Sequence, residues 1–415
     1  MTHTLIVINI GQLVTMSSGP VPRTGEAMDE LGIMESAALV AVDGEITWIG
    51  PNDDVEWAGA NDVLDVRGMC VVPGFVDPHT HLVWAGSRER EFEMKLRGAT
   101  YMEIMEAGGG IHSTVKATRE AQEENLVIST LARLDHMMAA GTTTVEAKSG
   151  YGLSAEAEVK SLRALREVDK RHPSTIVPTF MGAHAVPEEF KEKGADAYID
   201  NVIEEQLPAV VGEEDGPLAR WCDAFIEEGV FTVDQGERLF DAAKELGLGI
   251  RLHADEFVDS GAAALGAKVG AASADHLAAS SDEGLEAMRA AGVMATLLPG
   301  TPFVLRSKEY ARARDMIDMG MAVALATDLN PNCLVDSMPF VMTLACLQMG
   351  MTPAEALTAS TINAAHSLGM DDSVGSLQVG KKADLVVLDA PNHVHLAYSL
   401  NRDVVRTVVK DGRIK

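Results

Sequence analysis

From Cys70 to Asp328, short apolar runs alternate with Ala-, Glu-, Lys- and Leu-rich stretches of helical character. The runs are Cys70–His81, Thr142–Lys148, Thr175–His184, Cys222–Ile226, Gly249–His253, Ser273–Leu277, Val293–Leu298 and Val323–Asp328. Helical candidates lie between them, among them Ala155–Val168, Val233–Leu246 and Asp282–Ala291. That alternation predicts a parallel sheet with crossover helices. Eight such units in roughly 300 residues suit a closed barrel better than an open doubly wound sheet. The first strand lacks GxGxxG, and no GxxxxGK[ST] occurs anywhere in the chain. The long connection Val83–Gly141 is expected to make an excursion over the barrel mouth, because loops of that length are usually functional.

The two ends read differently. Leu5–Ile10, Ala38–Val42, Ile46–Ile49 and Val63–Val66 are short β-branched runs, and Ala383–Asp389 and Val404–Val409 repeat the style. Asp43-Gly44 and Asp411-Gly412 supply turns. Neither end is long enough to close a core alone, so the two are expected to pair. The predicted fold class is α/β: a TIM-like (β/α)8 barrel over 67–364, with a small β-sandwich domain formed from 1–66 and 365–415.

Charge narrows the function. The 34 basic and 62 acidic residues leave a net charge of −28, which repels phosphate backbones and anionic lipid. Nucleic-acid and membrane partners are therefore not expected, whereas a small anionic substrate can bind where Arg or Lys gathers in a pocket. The four cysteines (Cys70, Cys222, Cys333 and Cys346) are scattered without CxxC, which argues against a thiolate zinc site. The N-terminal segment has no basic region before its short apolar run, and no stretch approaches membrane-span length, so the expected location is cytoplasmic. The 21 methionines show no helical striping and read as core filler.

Chemistry concentrates at the ends of the predicted strands. In Pro73-Gly-Phe-Val-Asp-Pro-His-Thr-His81 the two histidines are two residues apart, so on a strand both leave the same face. At the C-terminal end of a barrel strand that face opens on the mouth. His253, His276 and Asp328 each stand where an apolar run gives way to polar residues. One strand-end histidine alone is more often a hydrogen-bonded rim residue. Four of the twelve histidines and an aspartate in such places point instead to a metal. A site of three His and one Asp keeps a position for water, as a hydrolytic centre requires. Arg88, seven residues past His81, offers a fork suited to a carboxylate, although its charged surroundings also fit a solvated loop. Tyr151 is flanked by glycines that let the backbone turn sharply and present the phenol, or pack it on the barrel rim. Glu256 lies three residues past His253, close enough to act on a water there as general base. Gly108-Gly109-Gly110 has no following Lys-Ser/Thr and reads as a hinge or tight backbone approach, not a phosphate cradle.

On these residues the chain resembles the amidohydrolase superfamily. The resemblance rests on Pro73–His81, on His253, His276 and Asp328, and on Gly375-Ser-Leu-Gln-Val-Gly-Lys-Lys-Ala-Asp-Leu-Val-Val-Leu-Asp389. Longer strings narrow it to the imidazolonepropionase family: Gly108–Val115, Glu146–Leu153, Thr179–Pro187, His253–Glu256 and Thr327–Pro331, in order along nearly the whole chain. The resemblance implies hydrolysis of 4-imidazolone-5-propanoate to N-formimidoyl-L-glutamate, the third step of histidine degradation. It implies one divalent metal per chain, zinc or iron, held by His79, His81, His253 and Asp328. Arg88, Tyr151, His184, Asn330 and the backbone near Asn332 would face the substrate. Glu256 and His276 would serve the attacking water, and Asp328 or His276 would protonate the leaving nitrogen. A homodimer is a further implication. The sequence departs from the family in Asn330-Pro-Asn-Cys333, where bacterial members read Asn-Pro-Gly-Ser. Binuclear relatives carry a carboxylated lysine after the fourth strand, whereas Lys148 ends the second and acids follow Ile226, hence a single metal. The alternatives are a deaminase or other cyclic amidohydrolase on the same barrel, or a non-catalytic barrel module.

Overall fold

The computed structural model describes residues 2–56, 59–99, 103, 108–400 and 402–415. Five strands come first: β1 (Thr4–Val14), β2 (Ile33–Val42), β3 (Glu45–Pro51), β4 (Asp62–Asp65) and β5 (Cys70–Pro73). Eight follow with at least one helix between each successive pair: β6 (Phe75–Asp77), β7 (Thr142–Lys148), β8 (Thr175–Ala183), β9 (Trp221–Ile226), β10 (Gly249–Ala254), β11 (Ser273–His276), β12 (Met294–Leu297) and β13 (Val323–Leu325). The chain ends on β14 (Leu385–Leu388), β15 (Val405–Lys410) and β16 (Arg413–Ile414).

β6 to β13 form one all-parallel sheet in sequential order. Its strands are nearly all buried, as sheets covered on both faces require. The first and last strands meet just beyond their ends, where Thr80 bridges Leu329 in parallel. His81 N donates to Leu329 O at 2.9 Å and Asp328 N to His79 O at 3.2 Å. The Asp77 carboxylate ties the same junction, accepting from the Thr327 hydroxyl at 2.6 Å and the Thr327 amide at 3.2 Å. The predicted barrel is the observed one.

Both chain ends build a second, mixed sheet in the order β16-β15-β14-β5-β1-β2-β3, with β4 also on β1. β2 and β15 are not neighbours, yet Leu39 and Val409 share one core with Leu5, Val71 and Leu385. The sheet therefore curls round that core, and an isolated bridge from Glu45 to Lys382 links its far parts. The first barrel strand is shorter than its apolar run predicts. The apolar run Cys70–His81 is not one strand; it divides at Gly74, with β5 in the terminal sheet and β6 in the barrel. A Cβ on residue 74 would lie 2.4 Å from Thr143 Oγ1, so only glycine lets the chain cross there. His79 and His81 consequently lie past β6 rather than on it.

Within the connection Val83–Gly141 the structure has helices Glu89–Leu96, Ile111–Glu120 and Glu123–Ala139. Residues 100–102 and 104–107 of that connection lie outside the described residues. Gly110, at φ +82°, precedes the second of these helices. Among the described residues no helix is long and apolar enough to cross a membrane.

Candidate metal centre and substrate cavity

The strand ends that carry the polar residues turn through unusual backbone. Asp255 (φ 50°), His276 (φ 76°), Leu277 (φ 60°) and Asp328 (φ 53°) are all left-handed without being glycine. Such conformations each cost on the order of 1–3 kcal/mol and persist where surrounding contacts over-determine them. The contacts are visible. The Asp255 carboxylate accepts from the backbone of Ser260, Ala262 and Ala263 at 3.0–3.2 Å, and Thr301 hydrogen-bonds Asp328 Oδ2.

Two histidines are oriented from behind by carboxylates. His79 Nδ1 donates to Asp275 Oδ2 at 2.6 Å, and His253 Nδ1 donates to Asp223 Oδ1 at 2.9 Å. Each Nε2 is thereby left as a lone-pair donor pointing inward. His79 Nε2 is buried with no hydrogen-bond partner among the described residues. It lies 3.5 Å from Asp328 Oδ1, while His81 Nε2 lies 3.7 Å from that oxygen and 3.2 Å from His253 Nε2. Burial holds His79, His81 and His276 neutral, with pKa values well below the ordinary histidine range. Neutral imidazoles gathered round a buried carboxylate and an orphaned nitrogen are a donor set that fits a divalent cation. Among the described residues, two triplets have mutually close donor atoms, His79/His81/Asp328 and His79/His253/His276.

Behind these residues runs a fully buried ion network. Lys148 Nζ is 2.8 Å from Asp223 and 2.9 Å from Glu146, whose other oxygen accepts the Thr80 amide at 3.1 Å. Lys148 thus bonds the carboxylate that aims His253 and the one that holds the loop between His79 and His81.

A cavity of about 400 Å³ opens over the centre. It is lined by His81, Arg88, Tyr151, His184, His253, Glu256, His276, Asp328, Asn330 and Asn332. His79, the remaining residue singled out in the sequence, lies fully buried beneath it. A smaller, more apolar chamber of about 230 Å³ adjoins and shares Glu256, His276 and Thr301.

The pocket residues are set by local turns. Gly150 has φ +105°, and a Cβ there would lie 3.0 Å from His184 Nδ1. The buried Glu158 carboxylate accepts the amides of Gly150, Gly152 and Leu153 at 2.7–2.9 Å, fixing the turn that presents Tyr151. Tyr151 and His184 pack 5.2 Å apart, and His184 stacks on His81 at 4.9 Å. Burial pushes the Tyr151 phenol up and His184 down to about 3. Glu227 accepts the amides of Glu256, Phe257 and Val258 at 2.8–3.1 Å, so it positions the Glu256 backbone. Glu256 Oε2 lies 3.7 Å from His276 Nε2, and burial, then the Asp328 and Glu227 charges, lift its pKa well above the carboxylate range. Asn330 spends its side chain on its own loop: Nδ2 donates to Asp328 O at 2.8 Å and Oδ1 accepts from the Asn332 and Cys333 amides.

Sequence reasoning missed the supporting residues. Asp223, Asp275, Glu158 and Glu227 lie 30, 196, 5–8 and 29–31 residues from what they hold. It also missed Glu91 and Lys95, which line the cavity. The signal for those two was present, since 88, 91 and 95 recur on one face of a helix.

A barrel with histidines and an aspartate converging at its mouth defines a metal-dependent hydrolase class, and likeness to known proteins agrees. The amidohydrolase family model matches residues 70–415, and the chain belongs to that family. Within it the chain belongs with the imidazolonepropionases. It is 51% identical to imidazolonepropionase of Symbiobacterium thermophilum over 99% of this chain and 96% of that one. It is 50% identical to that of a Geobacillus species (strain WCH70) over 99% and 97%. Among solved structures, a triazine hydrolase variant superposes with a TM-score of 0.77 at 18% identity, over 99% of this chain and 94% of that one, a likeness of fold.

Proposed function

We propose that this cavity hydrolyses 4-imidazolone-5-propanoate to N-formimidoyl-L-glutamate, the third step of histidine degradation. The observation that carries the reading is one cavity lined both by converging His and Asp donors and by Arg88. The 50–51% identity to imidazolonepropionases over 99% of the chain supports it.

In this reading His79, His81, His253 and Asp328 hold one divalent ion, zinc or iron. When bound, that ion polarises a carbonyl and lowers the pKa of water. Arg88 and Tyr151 take the propanoate arm, so that the ring carbonyl is positioned as well as bound. His184 donates from Nδ1 to Gly150 O at 3.0 Å, which leaves its neutral Nε2 as an acceptor. Asn330 and the backbone near Asn332 close the pocket wall. Glu256 takes the proton of the attacking water as its oxygen bonds to the ring carbonyl carbon. The raised pKa suits Glu256 to accept a proton, and a cation on the neighbouring donors pulls the other way, toward the ionised base. His276 hydrogen-bonds the same water. The ring C–N bond then breaks, and the proton held by Glu256 passes to the leaving nitrogen by way of His276 or Asp328, which returns the base to its starting state.

The protein loaded with zinc or iron should bind about one ion per chain and consume imidazolonepropanoate in a spectroscopic assay. His253→Ala should abolish turnover with the circular dichroism spectrum kept. Full activity in that variant would remove His253 from the metal centre. We also propose that the chain acts as a homodimer.

A further inference from the structure

Cationic side chains also line the cavity. In the cavity that the His and Asp donors share, Arg88, Glu91 and Lys95 line the wall together from one face of the helix Glu89–Leu96 and the residue before it. Two cations to one anion gather there, in a chain whose net charge is −28. Their hydrogen bonds show what each is free to do. Glu91 Oε1 is spent on the Gly110 amide at 3.0 Å and the Ser113 hydroxyl at 3.4 Å, and lies 3.9 Å from Arg88 Nε. Arg88 Nε donates to Thr114 Oγ1 at 3.0 Å, which sets the plane of its fork. Lys95 Nζ donates to Asn332 Oδ1 at 2.6 Å. That bond uses one of three donors; partial burial and then the Arg88 charge disfavour the ammonium, and the Glu91 charge offsets this only in part. Lys95 is half-buried, and a charge held in such a place contributes most when an anion comes to it.

We propose that Lys95 is the second cation of a carboxylate subsite: the substrate's propanoate sits between the Arg88 guanidinium and the Lys95 ammonium, which Asn332 tethers. Lys95 then sets the preference for an acid over a neutral side arm. The inference rests on the hydrolytic reading above and names the residue that fixes its substrate class.

The test uses the metal-loaded protein and a stable probe, 3-(imidazol-4-yl)propanoate, beside its neutral propanamide, with Kd measured by calorimetry. K95M should weaken acid binding roughly tenfold to a hundredfold, the range of a charge-assisted hydrogen bond. Amide binding should change less than about threefold, within the range of neutral contacts. K95R should restore most of the acid preference. K95Q keeps a donor but drops the charge, should behave like K95M, and carries the test where K95M does not fold. Equal weakening of acid and amide, or a K95Q that binds the acid like the unmodified protein, would overturn the assignment. Acid preference in a protein that does not turn over imidazolonepropanoate would count against hydrolysis and leave the subsite standing.

Discussion

His184 carries no charge at neutral pH because its ring is packed against His81 and Tyr151, and its pKa falls to about 3. The consequence for stability has a definite sign. Below the ordinary histidine value of 6.5 the unfolded chain protonates this ring, while the folded chain does not until about 3. Folded-state stability from His184 is therefore complete above 6.5 and is lost as pH falls through that window. Other buried groups titrate nearby, so the difference from H184Q isolates the effect. In metal-free protein the stability gap between the two should shrink by up to ~1.4 kcal/mol per pH unit on acidification below the unfolded value, read from urea midpoints. A gap constant from pH ~8 to ~5 would mean that the ring is already accessible to protons in the folded state. At this scale the sequence was legible where chemistry stands at strand ends, as at His79, His81, His253 and Asp328. It was silent where a side chain is defined by what packs on it, as with Lys148, whose three-way ion network no spacing announces.

Elements position the site through their turns. The glycines flanking Tyr151 were readable as a sharp turn, and Gly150 at φ +105° confirms why a Cβ is excluded. The device that holds the turn was not readable, because Glu158 sits on the following helix, Ala155–Arg171, and looks in sequence like an ordinary helical acid. Its carboxylate takes three backbone amides, all buried. Removing it in E158A orphans them together, for a loss of at least ~3 kcal/mol. A urea midpoint should show that loss, and KM for imidazolonepropanoate should rise as Tyr151 wanders. An unchanged KM in folded E158A would separate the turn from substrate binding. The same logic explains the split of Cys70–His81: an apolar run has one composition whichever sheet it joins, and only the close approach of Thr143 to Gly74 dictates the crossing.

For the whole molecule, the terminal sheet and the barrel are joined through that crossing, on whose terminal-sheet side β5 pairs with β14. We propose the division into 1–66 with 365–415 and 67–364 as two folding units, with β5 as the strand the second lends to the first. The homodimer proposal has a candidate surface. Leu347 on the helix Met338–Met349, Tyr398 at the end of the helix His395–Tyr398, and Leu400 just past it are 64–74% exposed. Those two helices pack on each other. Light scattering should give twice the chain mass, and Leu347→Glu should shift it toward one chain. A single-chain mass for the unmodified protein would remove the proposal.

The sequence by itself determined seven of the eight barrel strands, the β character of both ends, and the residues that meet at the mouth. Periodicity and turn chemistry are written in neighbouring residues, so they survive reading one position at a time. Only the tertiary structure decided that Asp275 stands behind His79, that Asp223 links His253 to Lys148, and that Lys95 reaches Asn332. Those pairs are separated by up to 237 residues, and their contact depends on strand register and on where the ring of strands closes. Register and closure are settled by packing across the barrel, which no local pattern records.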